Sequence, residues 1–245
     1  MSHKQEILLS VHIPKTGGTT FNNILHDIYQ EHFILVKQDG IAEHVSTDVK
    51  NAVSNQAKDG HVSVIHGHYY LDPFRDCYPD AKLAVWLRYP IQRLLSNYYY
   101  SERSGVGMGC SPEELHNEDL IYKFVDQPHH HNTMTKMIGR SKIDEFAFIG
   151  ITEDFEKSMA LFSRIFSTKK AFTHKRRLII KIMKFFKKNE IHVKHRNRNP
   201  DRKSPFYEIS DELRTKILQL NRDDDALYQA GIARYQHLCS GWFGE

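Results

Sequence analysis

The segment Pro14-Lys15-Thr16-Gly17-Gly18 follows the apolar run Ile7 to Ile13 and precedes a stretch in which Phe21, Ile24, Leu25 and Ile28 share one helical face. Strand, glycine turn and helix in that order bring backbone N–H groups to one spot at a helix N-terminus, where the helix dipole favours an anion. Lys15 puts a cation where charge on a bridging oxygen grows as a leaving group departs. The glycines alone do not decide, since a plain tight turn is spelled the same way. A second candidate anion site is Arg88, which ends the run Leu83 to Leu87, with Ser96 in the helix that follows. An Arg offers a bidentate grip and a Ser one further hydrogen bond. The competing reading is a surface Arg and an ordinary helical Ser. His66-Gly67-His68 closes a third apolar run, Val62 to Ile65. A His of ordinary pKa, about 6.5, suits the deprotonation of an attacking hydroxyl at neutral pH, and Gly67 leaves room for a substrate to approach the backbone. Two histidines satisfied by hydrogen bonds in a turn is the alternative.

These residues need elements to hold them. The chain alternates strand and helix: Ile7 to Ile13, a helix, an amphipathic stretch from Val45 to Ala57, the strand at 62–65, the strand at 83–87, and a helix with Pro90 in its first turn. A fourth strand is expected over Phe146 to Ile151, before a helix from Phe155 to Phe166, and a helical C-terminus begins near Ser210. The fold class is α/β: three layers, a mainly parallel sheet with helices on both faces and ligands at the carboxyl ends of the strands. No internal repeat or linker divides residues 1–245, so one domain and one active site are expected. A nucleoside triphosphatase loop needs Gly, four residues, then Gly-Lys-Ser/Thr; here the Lys precedes the glycines, and no strand clearly ends in a magnesium-binding Asp.

Three cysteines far apart, Cys77, Cys110 and Cys239, suggest reduced thiols in a cytosolic setting. No apolar stretch is long enough to span a membrane, so a cytoplasmic protein is expected. His129-His130-His131 cannot easily face one ion from a regular element, and no metal is expected. Tyr98 and Tyr99 are expected in the core with Tyr100 outward, and Asp223 to Asp225 in the acidic first turn of a helix. The formal charge of +4 is unevenly spread: between Glu156 and Glu190 there is no acid, while Lys169 to Lys188 holds nine Lys or Arg. That cationic amphipathic helix is a solvated face, a cradle for a polyanionic glycan, or a peripheral contact with an anionic membrane.

His12-Ile13-Pro14-Lys15-Thr16-Gly17-Gly18-Thr19-Thr20-Phe21 resembles the 5′-phosphosulfate loop of carbohydrate O-sulfotransferases that use 3′-phosphoadenosine 5′-phosphosulfate (PAPS). Leu87-Arg88-Tyr89-Pro90 with Arg93 and Ser96 is similar to their 3′-phosphate motif. Asn132 to Met137 and Phe148 to Phe155 are similar to later signatures of the family, with Phe166 to Lys194 the weakest region. The resemblance implies a P-loop-like sulfotransferase fold and a PAPS co-substrate leaving as adenosine 3′,5′-bisphosphate. It implies that Lys15, Thr16, Gly17, Gly18, Thr19 and Thr20 wrap the 5′-phosphosulfate, that Arg88 and Ser96 take the 3′-phosphate, and that Arg202 and Lys203 belong to a basic loop over the adenosine. Heparan sulfate and uronyl 2-O-sulfotransferases carry a similar His-Gly-His, which makes His68 the base and His66 its support. One departure is Tyr89, where the family commonly has Asp in what we take as a turn-forming role. The acceptor implied is a hydroxyl of a glycan, glycolipid or similar compound. Relatives work in the Golgi lumen behind a membrane anchor, which would apply here if an anchor has been removed. The competing functions are a non-catalytic binder of polyanions or nucleic acid, which would leave Lys15, the glycines and His68 unexplained, and a kinase-like phosphotransferase. No nucleic-acid partner is expected.

Overall fold

A computed structural model describes residues 6–36, 40–56, 63–111, 113–166 and 207–244. The basic stretch 169–188 and the loop residues Arg202 and Lys203 lie outside them. Five strands form one sheet: β1 (Ile7–Val11), β2 (Phe33–Val36), β3 (Ser63–Gly67), β4 (Lys82–Leu87) and β5 (Phe146–Ile151), in the order β2-β3-β1-β4-β5. All neighbouring pairs are parallel, and the near-continuous apolar runs of β1 and β4 reflect burial on both faces.

The helices are α1 (Gly18–Tyr29), α2 (Thr47–Gln56), α3 (Leu71–Cys77), α4 (Pro90–Arg103), α5 (Glu118–Val125), α6 (Thr133–Ile138), α7 (Phe155–Ile165), α8 (Asp211–Leu220) and α9 (Arg222–Phe243). On one face, Phe21 of α1 meets Trp86 edge to face and stacks on Phe148, while Phe162 of α7 meets Phe148 edge to face. On the other, α9 closes down on β4, where Gly231 faces Leu87 so closely that a Cβ would stand 2.3 Å from its Cδ1. A second apolar cluster joins α4, α5 and α8 through Leu94, Leu95, Phe124, Leu213 and Ile217.

Four elements were not expected from the sequence, among them the helices α5 and α6. The four-residue edge strand β2 is too short for periodicity to distinguish from a helix face, and α3 fills the crossover from β3 to β4. The first strand also ends at Val11 rather than Ile13, which frees His12 to Gly17 for the turn. The chain leaves β1 toward β2 and leaves β4 toward β5, in opposite directions along the sheet. Adjacent strands whose connections diverge in this way open a crevice between their carboxyl ends, the usual ligand position in an open α/β sheet.

Candidate functional site

The turn after β1 is built by its own side chains. Thr16, expected to wrap the phosphosulfate, is instead fully buried and donates its hydroxyl to the Ile13 carbonyl at 2.8 Å, so it braces the turn from inside. Lys15 and Gly17 both take left-handed backbone, at φ of 70° and 86°. Gly accepts that conformation freely, whereas Lys does not. No side chain caps the start of α1, which leaves the first-turn N–H groups of Gly18, Thr19 and Thr20 for an anion. Gly18 is needed for another reason: a Cβ there would lie 1.8 Å from the His12 ring.

The tip of β4 is tied to this turn. Arg88 donates from Nη1 to the Lys15 carbonyl at 3.0 Å. The Thr152 hydroxyl, at the end of β5, lies 2.8 Å from the Thr16 carbonyl and 2.9 Å from that of Leu87. Glu153 accepts the Tyr89 N–H at 3.0 Å and the Tyr228 hydroxyl at 3.2 Å, so the turn into α4 has its carboxylate from the helical turn after β5 although position 89 holds a Tyr. Ser96 is half-buried on α4. Arg93 is different: it is buried, donates to the His130 carbonyl and the Thr133 hydroxyl, both at 3.2 Å, and faces the buried Asp224 at 3.9 Å. It holds the fold rather than facing a ligand.

The far end of α4 supplies groups that sequence reasoning missed. The Lys15 ammonium sits 3.8 Å from the centroid of the Tyr100 ring, a cation–π contact. Burial, then the like charges of Arg88 and Arg103, lowers the Lys15 pKa to about 8. Three cations thus surround the turn. Glu102, one residue before Arg103, anchors the following loop by accepting from the N–H groups of Met108, Gly109 and Cys110 at 2.8, 3.1 and 3.2 Å.

The histidines form a stack of three. His12 extends the β1–β3 ladder, donating its N–H to the Gly67 carbonyl at 2.8 Å. Its ring lies 4.1 Å from that of His68 and 5.1 Å from that of His66. The His68 Nδ1 lies 2.6 Å from the His12 carbonyl oxygen. A carbonyl only accepts, so Nδ1 carries the proton and in the neutral ring Nε2 holds the lone pair. Burial lowers the His68 pKa, which keeps that lone pair available at neutral pH. His66 is fully enclosed, its Nδ1 is 2.9 Å from the Ser10 hydroxyl, and burial takes it down to about 3. The group in direct support of His68 is therefore His12. The bare backbone at Gly67 also has another reason than substrate approach: a Cβ there would stand 2.8 Å from the Cβ of Val36 and 2.9 Å from its carbonyl oxygen. Strand β2 occupies that space.

The remaining singled-out residues are structural. His130 stacks on Phe124 at 3.8 Å, and His131 Nε2 donates to the Val125 carbonyl at 2.8 Å. Asp223, Asp224 and Asp225 occupy the first turn of α9. Asp224 also caps α6 through the N–H groups of Met134 and Thr135, at 3.1 and 2.7 Å, while Asn132 accepts from the N–H groups of Asp223 and Asp224, both at 3.2 Å. Tyr98 and Tyr99 are core and Tyr100 faces outward. None of the three cysteines is in a disulfide. Among the described residues no helix is long and apolar enough to cross a membrane.

A sequence model of the sulfotransferase family matches residues 1–229. No curated protein matches the chain. The crystal structure of a sulfotransferase from Alicyclobacillus acidocaldarius is similar, at 14% identity and a TM-score of 0.41, with 95% of this chain and 96% of that one covered.

Proposed function

Because this chain belongs to the sulfotransferase family, we propose that it transfers the sulfuryl group of PAPS to a hydroxyl of a carbohydrate or glycolipid-type acceptor, with His68 as the base. The observation that carries this reading is one chain of contacts. Arg88, directly after β4, donates to the Lys15 carbonyl in the turn after β1, and the carbonyl of His12, which opens that turn, holds Nδ1 of His68 after β3. Groups for a phosphate, a departing bridge oxygen and an attacking hydroxyl thus stand along a single crevice.

PAPS, when bound, supplies an activated sulfuryl group on a phosphate leaving group. The N–H groups of Gly18, Thr19 and Thr20 and the Lys15 ammonium would hold the 5′-phosphosulfate, and Arg88 with Ser96 the 3′-phosphate. As the acceptor oxygen bonds to sulfur and the bridging S–O bond breaks, the hydroxyl proton passes to His68 Nε2 and charge on the departing oxygen is met by Lys15. The products are the sulfate ester, adenosine 3′,5′-bisphosphate and a protonated His68. A reducing, cytoplasmic setting fits the three cysteines without a disulfide. A peripheral contact of residues 169–188 with anionic membrane belongs to the same proposal, and vesicle binding that ignores anionic lipid content removes it.

The test is transfer from labelled PAPS to a panel of glycans and lipids without added metal, beside calorimetric titration with adenosine 3′,5′-bisphosphate. His68→Ala should lose about 10²- to 10⁴-fold in turnover, roughly 3–5 kcal/mol, with nucleotide affinity unchanged. Near-normal turnover in that variant removes the base, and no uptake of the nucleotide removes the donor.

A further inference from the structure

A groove of about 630 Å³ runs along the free edge of β2, walled by α1 and α2. Its size is that of a ligand cleft, about 300–1,000 Å³. Phe33, Ile34, Val49 and Ala52 give it an apolar, partly aromatic floor, and polar groups line about as much of it. Around this floor stand Asn22, Glu31, His44 and Asp48. No Lys or Arg is among the described lining residues, and the two chain segments beside it in sequence, 37–39 and 57–62, carry one Lys and one Asp each. The groove is therefore acidic where the rest of the molecule is basic.

Two further observations say what it takes. The Asn22 Oδ1 is buried and accepts no hydrogen bond. Leaving a buried acceptor without a donor is unfavourable, a loss that a ligand with a hydroxyl or ammonium donor recovers and a carboxylate does not. Two lining residues also sit next to elements of the reaction centre. Asn22 lies one turn along the helix that opens at Gly18, and at the other end Val36 is in register with Gly67, the residue before His68.

We propose that this groove seats the acceptor and selects a neutral or amine-bearing carbohydrate chain over a polyanionic one. Sugar binding there stands by itself; only the fate of the sugar at the His68 end rests on the sulfuryl-transfer reading. An apolar, aromatic floor suits the C–H face of a sugar ring, and the polar rim suits its hydroxyls. Glu31 and Asp48 repel an acidic chain, since like charges brought together across an interface disfavour it.

Three matched trimers serve as probes: maltotriose, the glucosamine trimer and trigalacturonic acid, with binding followed by saturation-transfer NMR on the full chain. The glucosamine trimer and maltotriose should bind, with trigalacturonate about tenfold or more weaker. Ala52→Trp, which fills the groove, should weaken the two binders by at least about tenfold, and Asn22→Leu should weaken them with no added bulk at the wall. Adenosine 3′,5′-bisphosphate affinity should be unchanged in both variants. Equal or tighter binding of trigalacturonate, failure of all three trimers, or wild-type sugar binding in both variants would each overturn the proposal. Intact sugar binding with no nucleotide uptake would instead sink the sulfuryl-transfer reading and leave the groove assignment standing.

Discussion

Replacing Gly18 with alanine would place a methyl carbon 1.8 Å from both Cδ2 and Nε2 of His12 and 2.6 Å from its Cε1. The backbone is not the obstacle, because Gly18 opens α1 without a positive φ, and alanine inside a helix is preferred over glycine by up to about 1 kcal/mol. The obstacle is the ring, stacked against His68 and His66 on its β3 side. An overpacked contact of this kind costs about 1–3 kcal/mol. Set against the helix preference, the net loss is about 0–2 kcal/mol, or up to about 8 °C in Tm at about 2–4 °C per kcal/mol for a chain of this size. Turnover should fall further, since displacing His12 shifts the carbonyl that orients His68, and a misplacement of about 1 Å costs about 10²-fold. The assay is a double-mutant cycle of Gly18→Ala with His12→Ala, read by thermal denaturation and by transfer rate. The stability penalty of Gly18→Ala should vanish once the His12 ring is gone. A penalty of the same size with and without that ring would refute the reasoning.

The pH–rate profile should be bell-shaped. His68 must be neutral to take a proton, so activity falls as pH drops through its lowered pKa, placing the acid limb below about 6.5. Lys15 must be charged, so activity falls again as pH rises through about 8, and Lys15→Arg should abolish that limb while keeping the acid one. Asp224→Ala breaks the buried pair with Arg93 and uncaps α6. It should cost about 3–5 kcal/mol by chemical denaturation. Thr152→Val removes the hydroxyl between the Thr16 and Leu87 carbonyls and should weaken nucleotide binding several-fold by calorimetry, with Thr152→Ser close to wild type.

What the sequence made legible was local. Lys15, Gly17 and Gly18 sit within four residues at a strand end, and Arg88 directly ends β4, so spacing alone exposes them. His12, three residues before Lys15, is spelled like any His after a strand. Its role depends on Gly18 and His68, which only folding brings beside it. Glu153 and Asp224 act across 64 and 90 residues on the turn at Tyr89 and the start of α6, and no periodicity reports a pairing of that kind. The family resemblance places Arg93 in the 3′-phosphate motif, yet its helical position turns it into the interior against Asp224. Gly67 was read as room for a substrate because β2, the strand that fills the room, is four residues long at the sheet's edge.

The left-handed backbone at Lys15 leaves a mark on the whole molecule. An L-residue with a side chain gives up about 1–2 kcal/mol in that conformation, which glycine does not. Lys15→Gly should thus raise the melting temperature while destroying transfer. Enrichment of variants for heat resistance alone would drift toward glycine at this position and yield a sturdier, inert protein.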